Sequence, residues 1–284
     1  MKTILILGAS GLVGSSLVRR LYEPRTTDLL LPTRSTLDLL NPLTLRQYAR
    51  HWKPDEVYMA AGKVGGIASN AKDHAGFFTE NMQMALNVFT TFSDSKIMYF
   101  GSSCAYPRAK AVGSTPDDLG TGLIEPSNEG YGVAKTAAIQ LAKWLRDEQG
   151  RDIRCVMPCN LSGPNDTSDH VIPDLLRKFK AATDEVRVWG DGTARREFLF
   201  VDDMVEAAVE IMAEEQAPWL QNIGCGFTVT IRELVDTLVA VTGFEGTVIY
   251  EGDKPVGTPW KSMSSRSFQK TNLRDGLELC WKRM

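Results

Sequence analysis

Within the first fourteen residues a short apolar run, Thr3–Leu7, breaks into Gly8-Ala9-Ser10-Gly11-Leu12-Val13-Gly14 and then into a helical pattern. This order of strand, glycine turn and helix restricts the fold more than any other feature of the chain. Gly8 permits the tight turn, Gly11 lets backbone approach a diphosphate closely, and Gly14 lets the helix pack on the strand. The N-terminus of that helix presents unpaired N–H groups to an anion. The expectation is a dinucleotide whose pyrophosphate lies on Gly8, Ser10, Gly11, Leu12, Val13 and Gly14.

The next 150 residues repeat the same alternation. Apolar runs at Asp28–Pro32, Glu56–Ala60, Lys96–Gly101 and Ile153–Pro158 read as strands. Gly14–Tyr22, Leu43–His51, Gly76–Ser93 and Gly130–Glu148 read as helices between them. Strands that are nearly continuous in apolar residues are covered on both faces, so the expected class is α/β: a Rossmann-like, doubly wound parallel sheet. Beyond about residue 163 the pattern changes. A polar loop leads to a helix Val171–Ala182, a strand Glu185–Trp189, a strand Phe198–Val201 and a helix Asp202–Glu214. A helix over 228–242, a strand Thr247–Tyr250 and a helix Leu273–Lys282 follow. The division expected is a dinucleotide domain over 1–164, to which 197–221 returns, and a smaller, discontinuous α/β substrate lobe over 165–196 and 222–284.

Composition narrows the partners. The chain of 284 residues is 43% hydrophobic and 24% charged with a net charge of −3, so it has no basic surplus with which to bind nucleic acid. The apolar run after Met1-Lys2 is too short for a signal peptide, and no stretch approaches the ~18 apolar residues of a membrane span. Five cysteines, at 104, 155, 159, 225 and 280, are odd in number and lack metal-like spacing. Reduced thiols, no metal and a cytoplasmic location are the expectation.

The end of the second predicted strand bears on the kind of dinucleotide. Sites that prefer NAD place a carboxylate there for the ribose 2′-hydroxyl. This chain reads Leu31-Pro32-Thr33-Arg34-Ser35 instead. A guanidinium suits a 2′-phosphate through charge-assisted bonds, which favours NADP(H). Asp38 is placed to contact the adenine or to cap the next helix.

Tyr131-Gly132-Val133-Ala134-Lys135 lies at the start of a predicted helix, and a spacing of four sets both functional side chains on one face. A free tyrosine, with a pKa of about 10, is a poor acid or base at neutrality. The Lys135 ammonium and the nicotinamide charge would draw it toward the working pH, and Lys135 can also hold the nicotinamide ribose. Ser102 and Ser103 end the fourth predicted strand, where a hydroxyl can bond the carbonyl that Tyr131 protonates. With these parts the chain resembles an extended short-chain dehydrogenase/reductase over essentially its whole length.

Finer motifs resemble the GDP-L-fucose synthase family. They are Ser102-Ser103-Cys104-Ala105-Tyr106-Pro107, Glu125-Pro126-Ser127-Asn128-Glu129-Gly130-Tyr131, Ala61-Gly62-Lys63-Val64-Gly65-Gly66-Ile67, Met157-Pro158-Cys159-Asn160-Leu161-Ser162-Gly163 and Arg196-Glu197-Phe198-Leu199. The resemblance implies NADPH-dependent 3,5-epimerisation and 4-reduction of GDP-4-keto-6-deoxy-D-mannose. Cys104 matches the family's base, His170 its acid, and Ser102, Tyr131 and Lys135 the reductase group. Ala61, Pro158, Asn160, Leu161 and His170 match positions on the cofactor side. Lys178, Trp189, Arg196 and Lys261 match positions around the nucleotide-linked substrate. The resemblance also implies a homodimer paired through the apolar faces of Gly76–Ser93 and Gly130–Glu148.

Departures from the family gather on the substrate side. Lys178 stands for an Arg, Val256 for an Asp and Phe200 for a His, and the stretches 164–170 and 261–273 are short. A related epimerase-reductase acting on another GDP-4-keto sugar, of the colitose or heptose type, is therefore the alternative. A non-catalytic NADP-binding protein is the alternative from another class, which the presence of Ser102, Tyr131 and Lys135 disfavours.

Overall fold

In a computed structural model that describes residues 1–254 and 257–284, the apolar runs assemble into one parallel sheet. Its elements are β1 (Lys2–Leu7), α1 (Leu12–Leu21), β2 (Thr27–Leu30), α2 (Pro42–Trp52), β3 (Glu56–Met59), α3 (Ile67–Lys72), α4 (His74–Thr91), β4 (Lys96–Phe100), α5 (Glu129–Gln149) and β5 (Ile153–Pro158). The chain continues through β6 (Asn160–Ser162), α6 (Val171–Ala181), β7 (Glu185–Trp189), β8 (Arg195–Arg196), β9 (Phe198–Phe200), α7 (Val201–Ala213) and β10 (Leu220–Ile223). It ends with β11 (Val229–Thr230), α8 (Ile231–Thr242), β12 (Thr247–Glu251) and α9 (Leu273–Lys282).

The sheet has six strands in the order β10-β5-β4-β3-β1-β2, every neighbouring pair parallel. Each residue of β3 and β5 is buried, as expected of strands covered by helices on both faces. Even Arg154 in β5 is buried, its guanidinium donating to the carbonyls of Ile211 and Glu214 at the end of α7. From β1 the chain turns outward to β2 and then crosses back to β3, so the carboxyl ends of β1 and β3 border the crevice where the winding reverses. Ligands of such sheets bind there.

β10 was not expected from the sequence, because Leu220-Gln221-Asn222-Ile223 reads as half polar. Asn222 is buried all the same: it accepts from Tyr106 Oη at 2.5 Å and donates to the carbonyls of Ser114 and Ser264 at 2.8 and 3.0 Å. The helix expected from 228 begins at Ile231. Val229 and Thr230 first pair with β8, and Thr230 then closes a capping box with Glu233.

Two apolar cores result. The larger surrounds the parallel sheet; the smaller packs α6, β7, α8 and α9 around Leu175, Phe179, Val186, Leu234 and Leu277. β9 runs along the seam. Its alternation turns Phe198 and Phe200 into the smaller core and Leu199 into the larger.

Candidate active site

At the end of β1 the glycine turn is set by contact. A Cβ on Gly14 would fall 2.0 Å from the Gly8 carbonyl oxygen, so α1 could not start so close to the turn with any other residue. Gly11 caps α1 without a side-chain bond, which leaves first-turn N–H groups open. Ser10 is exposed beside them, and Leu12 and Val13 lean on the larger core. Ala61, just past β3, faces Gly8 across the crevice. Arg34, past β2, is exposed and makes no hydrogen bond or ion pair among the described residues. Asp38 accepts the Leu40 N–H at 3.0 Å, so its carboxylate orders the turn leading into α2.

The catalytic candidates meet where β4 ends against α5. Ser102 is extended, and its Oγ accepts the Cys104 N–H at 3.1 Å, which starts a single 3-10 turn. α5 lies directly on that turn. A Cβ on Gly132 would sit 2.6 Å from the Cys104 carbonyl oxygen, and Thr136 Oγ1 donates to Ala105 O at 3.2 Å. The close approach sets Tyr131 beside Ser102 and Cys104. The Tyr131 ring meets Phe77 edge-on with centroids 6.4 Å apart. Lys135, one turn along, is buried; its Nζ donates to Phe100 O at 2.8 Å and lies 5.7 Å from the Tyr131 ring centroid.

Burial pushes the Tyr131 phenol well above its ordinary value, the Cys104 charge adds to this, and the Ser102 hydroxyl opposes it. Burial also pushes Lys135 down to about 8. Desolvation thus works against the drop expected from Lys135 and a bound nicotinamide, and the Lys135 ammonium is turned to the Phe100 carbonyl. Tyr131 therefore carries its proton at neutrality and is suited to donate it.

Cys104 behaves in the opposite way. Burial would raise its thiol, but the Lys261 ammonium, the Ser102 hydroxyl and the Arg196 guanidinium together bring it below its ordinary value. Lys261 Nζ lies 3.2 Å from Cys104 Sγ across 157 residues of sequence. Arg196 donates to Arg195 O at 2.8 Å and to Pro259 O at 3.4 Å. A thiol drawn below its ordinary value thus stands next to a phenol held above its own.

His170 is exposed at the N-cap of α6, and no hydrogen bond joins it to Cys104 or Tyr131 among the described residues. Its neighbour Asp169, which sequence reasoning passed over, ties this loop to the segment after β3. One carboxylate oxygen accepts the Gly66 N–H and the other accepts Ser69 Oγ at 2.5 Å. An acid immediately before the loop histidine was the available signal. Pro158 is buried at the end of β5; Asn160 donates to Glu197 O at 2.9 Å, and Leu161 packs on the larger core.

The remaining substrate candidates lie on the smaller core. The alternation of β7 buries Val186 and Val188 and leaves Trp189 45% exposed, so Trp189 is not a core residue. Lys178 Nζ is 5.9 Å from the Trp189 ring centroid and 2.9 Å from Asp174 Oδ2. Phe200 is buried against Gly276. Val256 lies outside the described residues.

Residues 4–224 match the NAD dependent epimerase/dehydratase family. The chain is 39% identical to the GDP-L-fucose synthase of Escherichia coli (strain K12), covering 91% of this chain and 87% of that one. It is 35% identical to the GDP-L-colitose synthase of Yersinia pseudotuberculosis, covering 89% and 86%. Among solved structures it is similar to a GDP-mannoheptose C4 reductase from Campylobacter jejuni with NADP bound, with a TM-score of 0.89 at 25% identity over 99% of this chain and 97% of that one.

Proposed function

This chain belongs to the NAD dependent epimerase/dehydratase family and, within it, to the GDP-L-fucose synthase relatives, and on that premise we propose that it epimerises C3 and C5 of GDP-4-keto-6-deoxy-D-mannose and reduces C4, giving GDP-L-fucose. The observation that carries the reading is the thiol of Cys104 beside the protonated phenol of Tyr131 on one wall of the crevice. A reductase alone needs the phenol. Inversion beside a ketone needs a base as well, and a thiol drawn toward thiolate is one.

NADP(H) fits the crevice. At Gly8 and Gly14 a Cβ would collide with backbone, the turn between them opens N–H groups to the pyrophosphate, and Arg34, without a partner among the described residues, offers its guanidinium to a 2′-phosphate. When bound, the cofactor supplies the hydride for C4. Lys135 would hold its ribose, and Ala61, Pro158, Asn160 and Leu161 would lie along its nicotinamide side. The Cys104 thiolate takes the proton from the carbon beside the ketone, whose electron pair moves into an enolate. His170, in the role of the acid, returns a proton to the opposite face. Ser102 orients the C4 oxygen, and Tyr131 protonates it during reduction.

We assign 1–164 with 197–221 to cofactor binding, and 165–196 with 222–284 to the nucleotide-sugar. There Lys178, Trp189, Arg196 and Lys261 face the substrate. The Lys178–Asp174 ion pair supports a second reading, a related GDP-4-keto sugar of the colitose or heptose type. A lysine engaged with an acid and lacking the guanidinium fork grips a diphosphate differently from the arginine that the family resemblance leads one to expect. For the assembly, the exposed Phe78 and Leu86 of α4 and Val133 and Trp144 of α5 support a homodimer paired through these helices.

Incubation with GDP-4-keto-6-deoxy-D-mannose in heavy water, without NADPH, tests the chemistry. Deuterium is expected at C3 and C5 with the wild type and is lost in Cys104→Ala. Exchange that continues in Cys104→Ala removes the thiol from the mechanism. Adding NADPH is expected to consume one equivalent per sugar. Unchanged NADPH absorbance with a converted sugar would point instead to internal hydride cycling.

A further inference from the structure

We infer that Lys261 is the positioning residue for epimerisation: its ammonium holds Cys104 as the thiolate and fixes the direction of the sulfur, in addition to any contact it makes with substrate. The inference rests on the reading of Cys104 as the base.

Both partners are held by their backbones, so the 3.2 Å contact between Nζ and Sγ is built into the fold. The Lys261 N–H donates to Arg195 O at 3.1 Å, and the next residue donates from Ser262 N to Ala111 O at 2.8 Å. The segment is thus strapped on one side to the strand that carries Arg196 and on the other to the loop that follows Cys104. Lys261 makes no ion pair with a carboxylate among the described residues, so the thiol is the acceptor its ammonium meets. Cys104 is fixed in turn by the Ser102 Oγ bond to its N–H and by the contact of Gly132 with its carbonyl oxygen.

The charges around the sulfur favour the same conclusion. The charged and titratable groups that face Cys104 are Lys261 and Arg196 from the substrate side and Tyr131 from α5. The acid Glu125 accepts from Thr258 Oγ1 at 3.3 Å and acts on Arg196 rather than on the sulfur. Two cations and an uncharged phenol therefore surround a half-buried sulfur. A free thiol is only a few per cent ionised at about pH 7, and a cation at this distance raises that fraction without any step in the reaction. When the thiolate takes the proton beside the ketone it becomes a neutral thiol, and the C–H electron pair passes to the enolate. That proton then exchanges with solvent and Lys261 restores the thiolate.

The test needs no substrate in its first arm. Iodoacetamide alkylation of the full chain is followed against pH, with Cys104→Ser giving the background from the four buried cysteines. In Lys261→Gln the midpoint of the Cys104 reaction is expected to rise by about one pH unit, so that alkylation near pH 6.5 slows about tenfold. Lys261→Arg is expected to keep the low midpoint. Deuterium exchange without NADPH should slow in Lys261→Gln by the same factor near pH 6.5 and recover near pH 9. A pH-independent loss would mark a merely structural role and overturn the inference. An unchanged alkylation midpoint, with only KM raised, overturns it too and leaves Lys261 a substrate ligand. A raised midpoint combined with exchange that persists in Cys104→Ala would keep the ion pair but remove the base, and the inference with it. Ultraviolet thiolate absorbance of the wild type, referenced to Cys104→Ser, gives a check that requires no lysine variant. A midpoint at or above that of an ordinary thiol overturns the inference.

Discussion

Arg34 and Glu197 show how differently two charged residues can be used. Arg34 is exposed and has no hydrogen bond or ion pair among the described residues, so its worth lies in what it binds. Arg34→Ala is expected to weaken NADPH binding ten- to a hundredfold, about 1.4–2.8 kcal/mol, and to leave NADH binding nearly unchanged. Fluorescence titration with both cofactors checks this, and equal losses would contradict the 2′-phosphate assignment. Glu197 is 2% exposed, with one oxygen accepting the Met263 N–H at 3.3 Å and the other without a hydrogen-bond partner among the described residues. Burial pushes its carboxyl up to about 7 from 4.5, against the pull of the Met263 N–H. Because the folded value lies above the unfolded one, the folded chain holds a proton that the unfolded chain has released. Stability therefore falls as pH rises from 4.5 to about 7, and the full cost remains above that. Glu197→Gln is expected to be more stable than wild type by about 1–3 kcal/mol near pH 8, with the gain gone near pH 4. Urea unfolding at the two values measures it; a gain of the same size at both would show that the buried charge is not its source.

At the scale of elements, the site depends on the fit of α5 to the turn after β4. Gly132 has no room for a methyl group: Cys104 O and Ile124 Cγ2 both lie 2.6 Å from where it would go. Gly132→Ala is expected to cost about 1–3 kcal/mol through overpacking and to lower turnover more than tenfold by displacing Tyr131 from Ser102. A fall in Tm with unchanged activity would mean that the turn adapts. Some elements were legible at once: Ile153–Pro158, Glu185–Trp189 and Leu273–Lys282 have the bounds that the sequence led one to expect. β10 was not, since Gln221 and Asn222 look like loop residues until Tyr106, Ser114 and Ser264 supply the partners for Asn222. Of the site, Ser102, Tyr131 and Lys135 were legible because they lie within a turn or on one helix face. The Lys261 contact with Cys104 and the Asp169 bonds to Gly66 and Ser69 were not, because they join segments 157, 103 and 100 residues apart.

For the molecule as a whole, β9 joins the two cores. Leu199 is fully buried in the larger core, while its neighbours Phe198 and Phe200 fill the smaller one. Leu199→Ala is expected to cost about 2–5 kcal/mol and to lower the Tm of the whole chain in one transition, because the strand it loosens belongs to both cores. Calorimetry would contradict this by showing one core melting early and the other at its original temperature.

The amino-acid order by itself set the alternation of strand and helix, the glycine turn at the head of α1, the absence of a carboxylate after β2, and the tyrosine and lysine on one face of α5. Each is a local matter of period, turn geometry or side-chain spacing, which a few neighbouring residues decide. Only the tertiary structure decided the protonation of Tyr131 and Cys104. Burial acts on both, yet the phenol keeps its proton, whereas the thiol is drawn toward thiolate by Lys261 and Arg196 from distant parts of the chain. Desolvation and charge depend on what surrounds an atom in space, and in this protein those surroundings come from segments that are far apart along the chain.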